Sequence, residues 1–145
     1  MADRLIRVGR VSKIDLETGL VSITYPDLDD SVTTPLTLLS FNDETKIPRI
    51  GEEVFTLHYP TGQARGIILG HYWNKTNKPV KYGEKIYRKE FGHEKGDAWA
   101  EYNDDDKVLI FHANERKFEN NSGSITLSEL IQLKERVAAL EEGGS

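Results

Sequence analysis

The stretch Arg7–Leu39, RVGRVSKIDLETGLVSITYPDLDDSVTTPLTLL, leaves the chain few ways to fold. Val8–Ile14 interleaves Val and Ile with Arg, Ser and Lys, the period-two alternation of a half-buried strand. Asp15–Gly19 breaks the pattern, with Thr18-Gly19 as the turn signal, and Leu20–Tyr25 resumes it. Leu20, Ser22 and Thr24 fall on one side, and Val21, Ile23 and Tyr25 on the other. Two β-branched runs joined by a short Asp/Glu/Thr/Gly connection predict an antiparallel hairpin. Pro26 lacks an amide hydrogen for a ladder and ends the second strand. After the acidic loop Asp27–Asp30, Val32–Leu39 is expected as a third strand, its Pro35 suiting an edge or a bulge. A small antiparallel β-barrel starts this way.

Asn42–Arg49 reads as a polar loop, Val54–Tyr59 as a strand, and Pro60–Gln63 as a turn. Gly66–Trp73 is a further strand in which Gly70 marks a bulge or a barrel corner. Five short antiparallel strands at this spacing suggest a partly open barrel of the OB type over residues 1–77.

From Asn74 to Lys95 the chain is rich in lysine and poor in aliphatic residues. Tyr82, Tyr87 and Phe91 interleave with the basic residues, as an acidic partner or a nucleic acid would require. Glu84, Glu90 and Glu94 dilute the charge, so 78–96 is read as a solvated linker.

Strand patterns return over 97–127. Ala98–Tyr102 is followed by the turn Asn103–Asp106, and then by Lys107–Ala113, which is apolar on both faces. Asn114–Ser124 is polar, and Ile125 and Leu127 close the region. Short strands between Asn/Asp/Gly turns cannot close a core alone, whereas identical chains stacked into an intertwined β-prism or β-helix can.

The chain ends in a helix over 128–145. Thr126-Leu-Ser-Glu129 is a capping box. Leu130, Leu133, Val137 and Leu140 follow spacings of three and four, the seam of a coiled coil. Two heptads are marginal in isolation, so the seam is covered either by its own domain or by other copies. Self-association is favoured because the preceding β region also requires partners.

Composition narrows the function. A net charge of −5 argues against a nucleic-acid backbone as the main partner. There is no cysteine, which excludes disulfides, thiolate nucleophiles and thiolate metal sites. No apolar run approaches the roughly 20 residues of a membrane span, and MADRLIRVGR lacks the apolar centre of a signal peptide. A protein made in the cytoplasm without a signal peptide, and soluble there, is expected. No nucleophile elbow or glycine-rich phosphate loop is present, and the adjacent Glu52 and Glu53 face opposite ways on a strand. Catalytic, metal and cofactor residues are therefore expected to be none. Asp27–Asp30 and Asp104–Asp106 lack the calcium-loop pattern and read as turns.

Several motifs, in order, resemble the phage baseplate assembly protein V family, the central spikes of contractile tails related to type VI secretion and tailocin spikes. They are the Val8-Gly-Arg-Val11 strand, the Asp15–Gly19 turn, Tyr25-Pro26 with the following Asp-Leu-Asp-Asp30, and Ile50-Gly-Glu-Glu-Val54. Gly66-Ile-Ile-Leu-Gly70, and Gly96–Tyr102 with Lys107–Ile110, complete the set, so the likeness covers roughly residues 5–113. The resemblance implies a mainly β fold: an N-terminal OB-fold barrel, then a short intertwined trimeric β-prism or β-helix, then a short coiled-coil-like C-terminal helix.

It also implies a structural hub in a phage tail or tailocin baseplate, assembled as a homotrimer that caps the tail tube and leads it through the target cell envelope. Implied partners are tail-tube and other baseplate proteins and a separate spike-tip protein. The trimer interface expected on this basis comprises Trp99, Val108, Ile110, Ile125, Leu127, Leu130, Leu133, Val137 and Leu140. The family's apical His-x-His pair is missing, since His58, His71, His93 and His112 stand apart. A tip metal is therefore not expected. The alternatives are a single-stranded nucleic-acid-binding OB module, which needs exposed aromatics on the strand 2–3 face, and a coiled-coil adaptor.

Overall fold

The computed structural model describes residues 5–60 and 65–144. The chain is mainly β, with one C-terminal helix. It divides into two units, Met1–Pro79 and Val80–Ser145, each described by itself below.

In the first unit, β1 (Ile6–Ile14) and β2 (Val21–Tyr25) form the expected hairpin. Its turn is held by Asp15, whose Oδ1 accepts from the Glu17 amide at 3.0 Å, and by Gly19 in the left-handed region at φ 71°. A single turn of 3-10 helix, Pro26–Leu28, follows β2, since Pro26 suits a helix start but not a ladder. The anticipated third strand, Val32–Leu39, is two pieces: β3 (Ser31–Val32) and β4 (Thr37–Leu38), with Pro35 between them. The unit continues with β5 (Glu53–His58) and β6 (Gly66–His71). Of the expected turn after β5, only Pro60 lies within the described residues.

The six strands form one sheet in the order β3-β2-β1-β5-β6-β4. All neighbours are antiparallel except β4 and β6, which run parallel. Leu36, immediately before β4, exchanges backbone hydrogen bonds of 2.9 and 2.8 Å with Val21 of β2. The curled sheet thus returns to the strand it left.

Two bulges set which side chains face inward. Val11 opposes Ile23 and Lys13 opposes Ser22, so Ser12 is the extra residue. The extra residue moves the inward face from odd to even positions and lets Ile14 pack on the same core as Val11. The second bulge lies between Ile68 and Gly70, where Gly70 has φ 131°. Val11, Val21, Ile23, Tyr25, Leu36, Val54 and Ile68 form the buried core, and burial of each aliphatic side chain contributes about 1.5–3 kcal/mol.

The second unit contains β7 (Ile86–Glu90), β8 (Trp99–Asn103) and β9 (Val108–His112) in one antiparallel sheet of that order. A separate hairpin, β10 (Lys117–Asn120) and β11 (Gly123–Thr126), runs directly into α1 (Leu127–Gly143). Three expectations are corrected here. The stretch read as a linker, 78–96, holds the strand β7, whose Arg88 pairs with Glu101 of β8 and with Glu90 of β7. The polar stretch Asn114–Ser124 supplies one whole strand and most of a hairpin, and Leu127 belongs to the helix, not to a strand.

Candidate functional site

The second unit buries almost nothing. Among the described residues its single buried apolar side chain is Ala100, at 9% exposure. Strand β9 is exposed along its whole length, with Val108, Leu109, Ile110 and Phe111 between 43% and 56% exposed. Because side chains alternate on a strand, both of its faces are bare. Phe118 on β10 and Ile125 on β11 are opposite each other in register and also exposed.

The helix repeats the pattern. Its N-terminus is well made: the Thr126 hydroxyl accepts from the Glu129 amide at 3.2 Å, and the Glu129 carboxylate accepts from the Thr126 amide at 2.7 Å. The helix nevertheless has no buried residue, so its own unit does not cover the seam. Leu130, Leu133, Val137 and Leu140 are 38%, 51%, 45% and 76% exposed, and Ile131 beside them is 48% exposed. A 17-residue helix with no tertiary cover is marginal in water.

The residues expected at the interface therefore fall into two groups. Val108, Ile110, Ile125, Leu130, Leu133, Val137 and Leu140 are bare, whereas Trp99 and Leu127 are half-buried. Trp99 stacks on His112 with ring centroids 5.0 Å apart, and the Arg88 guanidinium lies 4.0 Å from its ring centroid. Arg88 donates from Nε to Glu90 Oε1 at 2.5 Å and from Nη1 to Glu101 Oε2 at 3.0 Å, while Lys81 Nζ donates to Glu101 Oε1. Glu101 is only 4% exposed. The hydrogen bond from Lys81, aided by Arg88, holds its carboxyl below the usual range, although burial acts in the opposite direction. The Trp99 side of the sheet is thus an ion cluster that the chain completes for itself. Sequence reasoning missed this cluster because Arg88 and Glu90 sit in the stretch read as solvated.

In the first unit the buried polar groups are also paired. Tyr25 Oη lies 2.6 Å from Thr56 Oγ1 and 2.6 Å from His58 Nε2. Burial, reinforced by the charge of Arg7, pushes His58 below the usual imidazole range, so the ring stays neutral. Arg7 itself pairs with Asp27 at 3.3 Å. Of the two aromatics near the strand 2–3 face, Tyr25 is 3% exposed and offers no stacking surface, which leaves Phe41, 61% exposed, as a lone ring.

Among the described residues no three His, Asp or Glu side chains gather as a metal site, and no helix is long and apolar enough to cross a membrane. What the second unit presents is apolar surface on regular, well-registered elements. No protein-family model matches the chain, and no curated protein matches it.

Proposed function

We propose that this chain is a structural hub protein of a contractile injection apparatus: a homotrimeric central spike that caps the tail tube and leads it through the target envelope. One observation carries the reading. Over residues 80–144 the backbone is regular and its strand registers are complete, yet only Ala100 is buried among its apolar side chains. A segment this lean cannot offset its conformational entropy alone. Cover of this extent is typical of obligate interfaces, which resemble a domain core cut in half. Further copies of the same chain are present wherever it folds, and they supply that cover.

The first unit supports the OB part of the reading. Taking β3 and β4 as one broken strand, its pairing runs first-second-third-fifth-fourth-first, with the third and fifth parallel, an order that favours an OB barrel. On this reading the barrels form a collar on the tail tube and among the other baseplate proteins. The intertwined β region and the helix form the spike, to which a separate tip protein can attach. The chain transmits force and breaks no bond, so it is not an enzyme. The burial of Tyr25 and the pairing of Arg7 with Asp27 count against a single-stranded nucleic-acid platform.

The reading is tested by labelling purified contractile particles from the producing cell with an antibody to this chain. Label at the baseplate end of the tail is expected. Particles that lack the chain, or carry it along the sheath, would remove the injection-apparatus assignment.

A further inference from the structure

The two faces of the β7–β8–β9 sheet differ, and the difference selects the side on which copies meet. Directly opposed residues of antiparallel strands share a face. On one face lie the rows Ile86–Asn103–Val108, Arg88–Glu101–Ile110 and Glu90–Trp99–His112. On the other lie Tyr87–Tyr102–Leu109 and Lys89–Ala100–Phe111.

The first face carries an ion cluster, beside which Val108 and Ile110 stay 48% and 43% exposed. Lys81, from the segment before β7, reaches across to Glu101, and Arg88 links Glu101 to Glu90 and lies against the Trp99 ring. Packing another chain onto this face would desolvate Lys81, the half-exposed cation of this cluster, which opposes apolar contact there. The second face has one charged side chain, Lys89, in its two rows. Tyr87, Leu109 and Phe111 are 69%, 56% and 54% exposed around the small, buried Ala100. Aromatic and aliphatic side chains around a small residue form the kind of centre at which interface energy concentrates.

We infer that the face carrying Tyr87, Tyr102, Leu109 and Phe111 is the one each copy turns toward a second copy of this chain, and that the Trp99–Ile110 face is turned away. A second copy is the occupant because Ala100 is the single buried apolar side chain among the described residues of this unit, so the unit needs its cover in order to fold, and other copies are present whenever it folds. The inference rests on the self-assembly proposed above and adds the orientation of the sheet.

Adjacent residues of β9 test it, since Ile110 and Phe111 are similarly exposed and point opposite ways. The natural chain has no cysteine, so Phe111→Cys and Ile110→Cys each introduce a single thiol. With each variant's mass first fixed by light scattering, a water-soluble maleimide should label Phe111→Cys at least about tenfold more slowly in the native assembly than in denaturant. Ile110→Cys should label within about threefold of its denatured rate, since protection follows burial. Equal protection of the two thiols, or protection of Ile110→Cys alone, overturns the orientation while leaving self-assembly intact. A natural chain that runs as a single copy fails the self-assembly reading itself, which the mass separates from the labelling result. As a second variant, Phe111→Glu should weaken assembly at least about a hundredfold, as expected when a charge enters an interface centre. Full assembly of that variant also contradicts the inference.

Discussion

Gly9 and Ile23 approach each other across the β1–β2 pair so closely that a Cβ on Gly9 would stand 2.3 Å from Ile23 Cγ2. It would also stand 2.8 Å from two carbons of the Tyr25 ring. The Val-Gly-x-Val run at the start of the chain therefore has a packing reason: the glycine makes room for the two largest inward side chains of β2. Gly9→Ala is expected to destabilise the first unit by about 1–3 kcal/mol, the range of overpacked cores. Chemical denaturation followed by circular dichroism measures it, and an unchanged midpoint would mean that the Ile23 and Tyr25 side chains are not held where the structure places them.

The short hairpin Phe41–Glu44 closes on Asn42 and Asp43, both with positive φ, at 53° and 58°. Two successive left-handed residues are the signature of a type I′ turn, which Asn-Gly satisfies best. Asp43→Gly should stabilise the first unit by about 0.5 kcal/mol and Asp43→Val should destabilise it by about 1 kcal/mol, from the cost of left-handed backbone. A reversed order of the two denaturation midpoints would show that the turn has another geometry.

His58 provides a test of charge. Its burial and the nearby Arg7 depress its folded pKa below the usual imidazole value of 6.5. The unfolded chain then binds the proton more readily than the folded one. Stability is full above pH 6.5 and declines as pH falls below it, down to the depressed folded value, after which the contribution is flat. The imidazole Cε1 proton, followed by NMR, should titrate below 6.5, and His58→Gln should remove the loss of stability of the first unit just below that pH. A titration midpoint at or above 6.5 would contradict the burial of His58 beside Arg7.

The helix seam gives the fourth prediction. Leu133→Lys with Val137→Glu leaves the capping box and the helix formers in place but removes two apolar seam positions. Assembly should weaken by at least about a hundredfold, since each buried aliphatic side chain contributes about 1.5–3 kcal/mol. Sedimentation equilibrium measures it. If the double variant stays fully assembled, the sheet and hairpin hold the copies together and the helix has no part in it.

The parts legible in the sequence are those in which one physical signal acted alone. The β-branched alternation of Val8–Ile14 and Leu20–Tyr25 had only one core to meet, and Thr126 with Glu129 had only one cap to make. Legibility failed where a residue answered to two neighbours. Leu36 pairs back to Val21 while Thr37 and Leu38 pair with β6, so a single apolar run became two strands joined at a proline-led break. Ile86–Glu90 looked solvated because Arg88 and Glu90 are charged, yet Glu101 across the sheet converts that charge into a buried pairing. The hairpin Lys117–Thr126 has one large apolar residue per strand, Phe118 and Ile125, too few for alternation to show. At the candidate interface, the two-faced apolarity of Lys107–Ala113 was visible as pattern. Which face stays bare was not, because it depends on Lys81 and Arg88 reaching in from elsewhere in the chain.

The central claim is that residues 80–144 obtain their core from other copies, and the solution mass of the purified chain by light scattering tests it most directly. Measured over a wide range of concentration, the mass should equal three chains of 16.5 kDa and hold in mild denaturant. A mass of one chain, with the strands of the second unit still formed, would contradict the account.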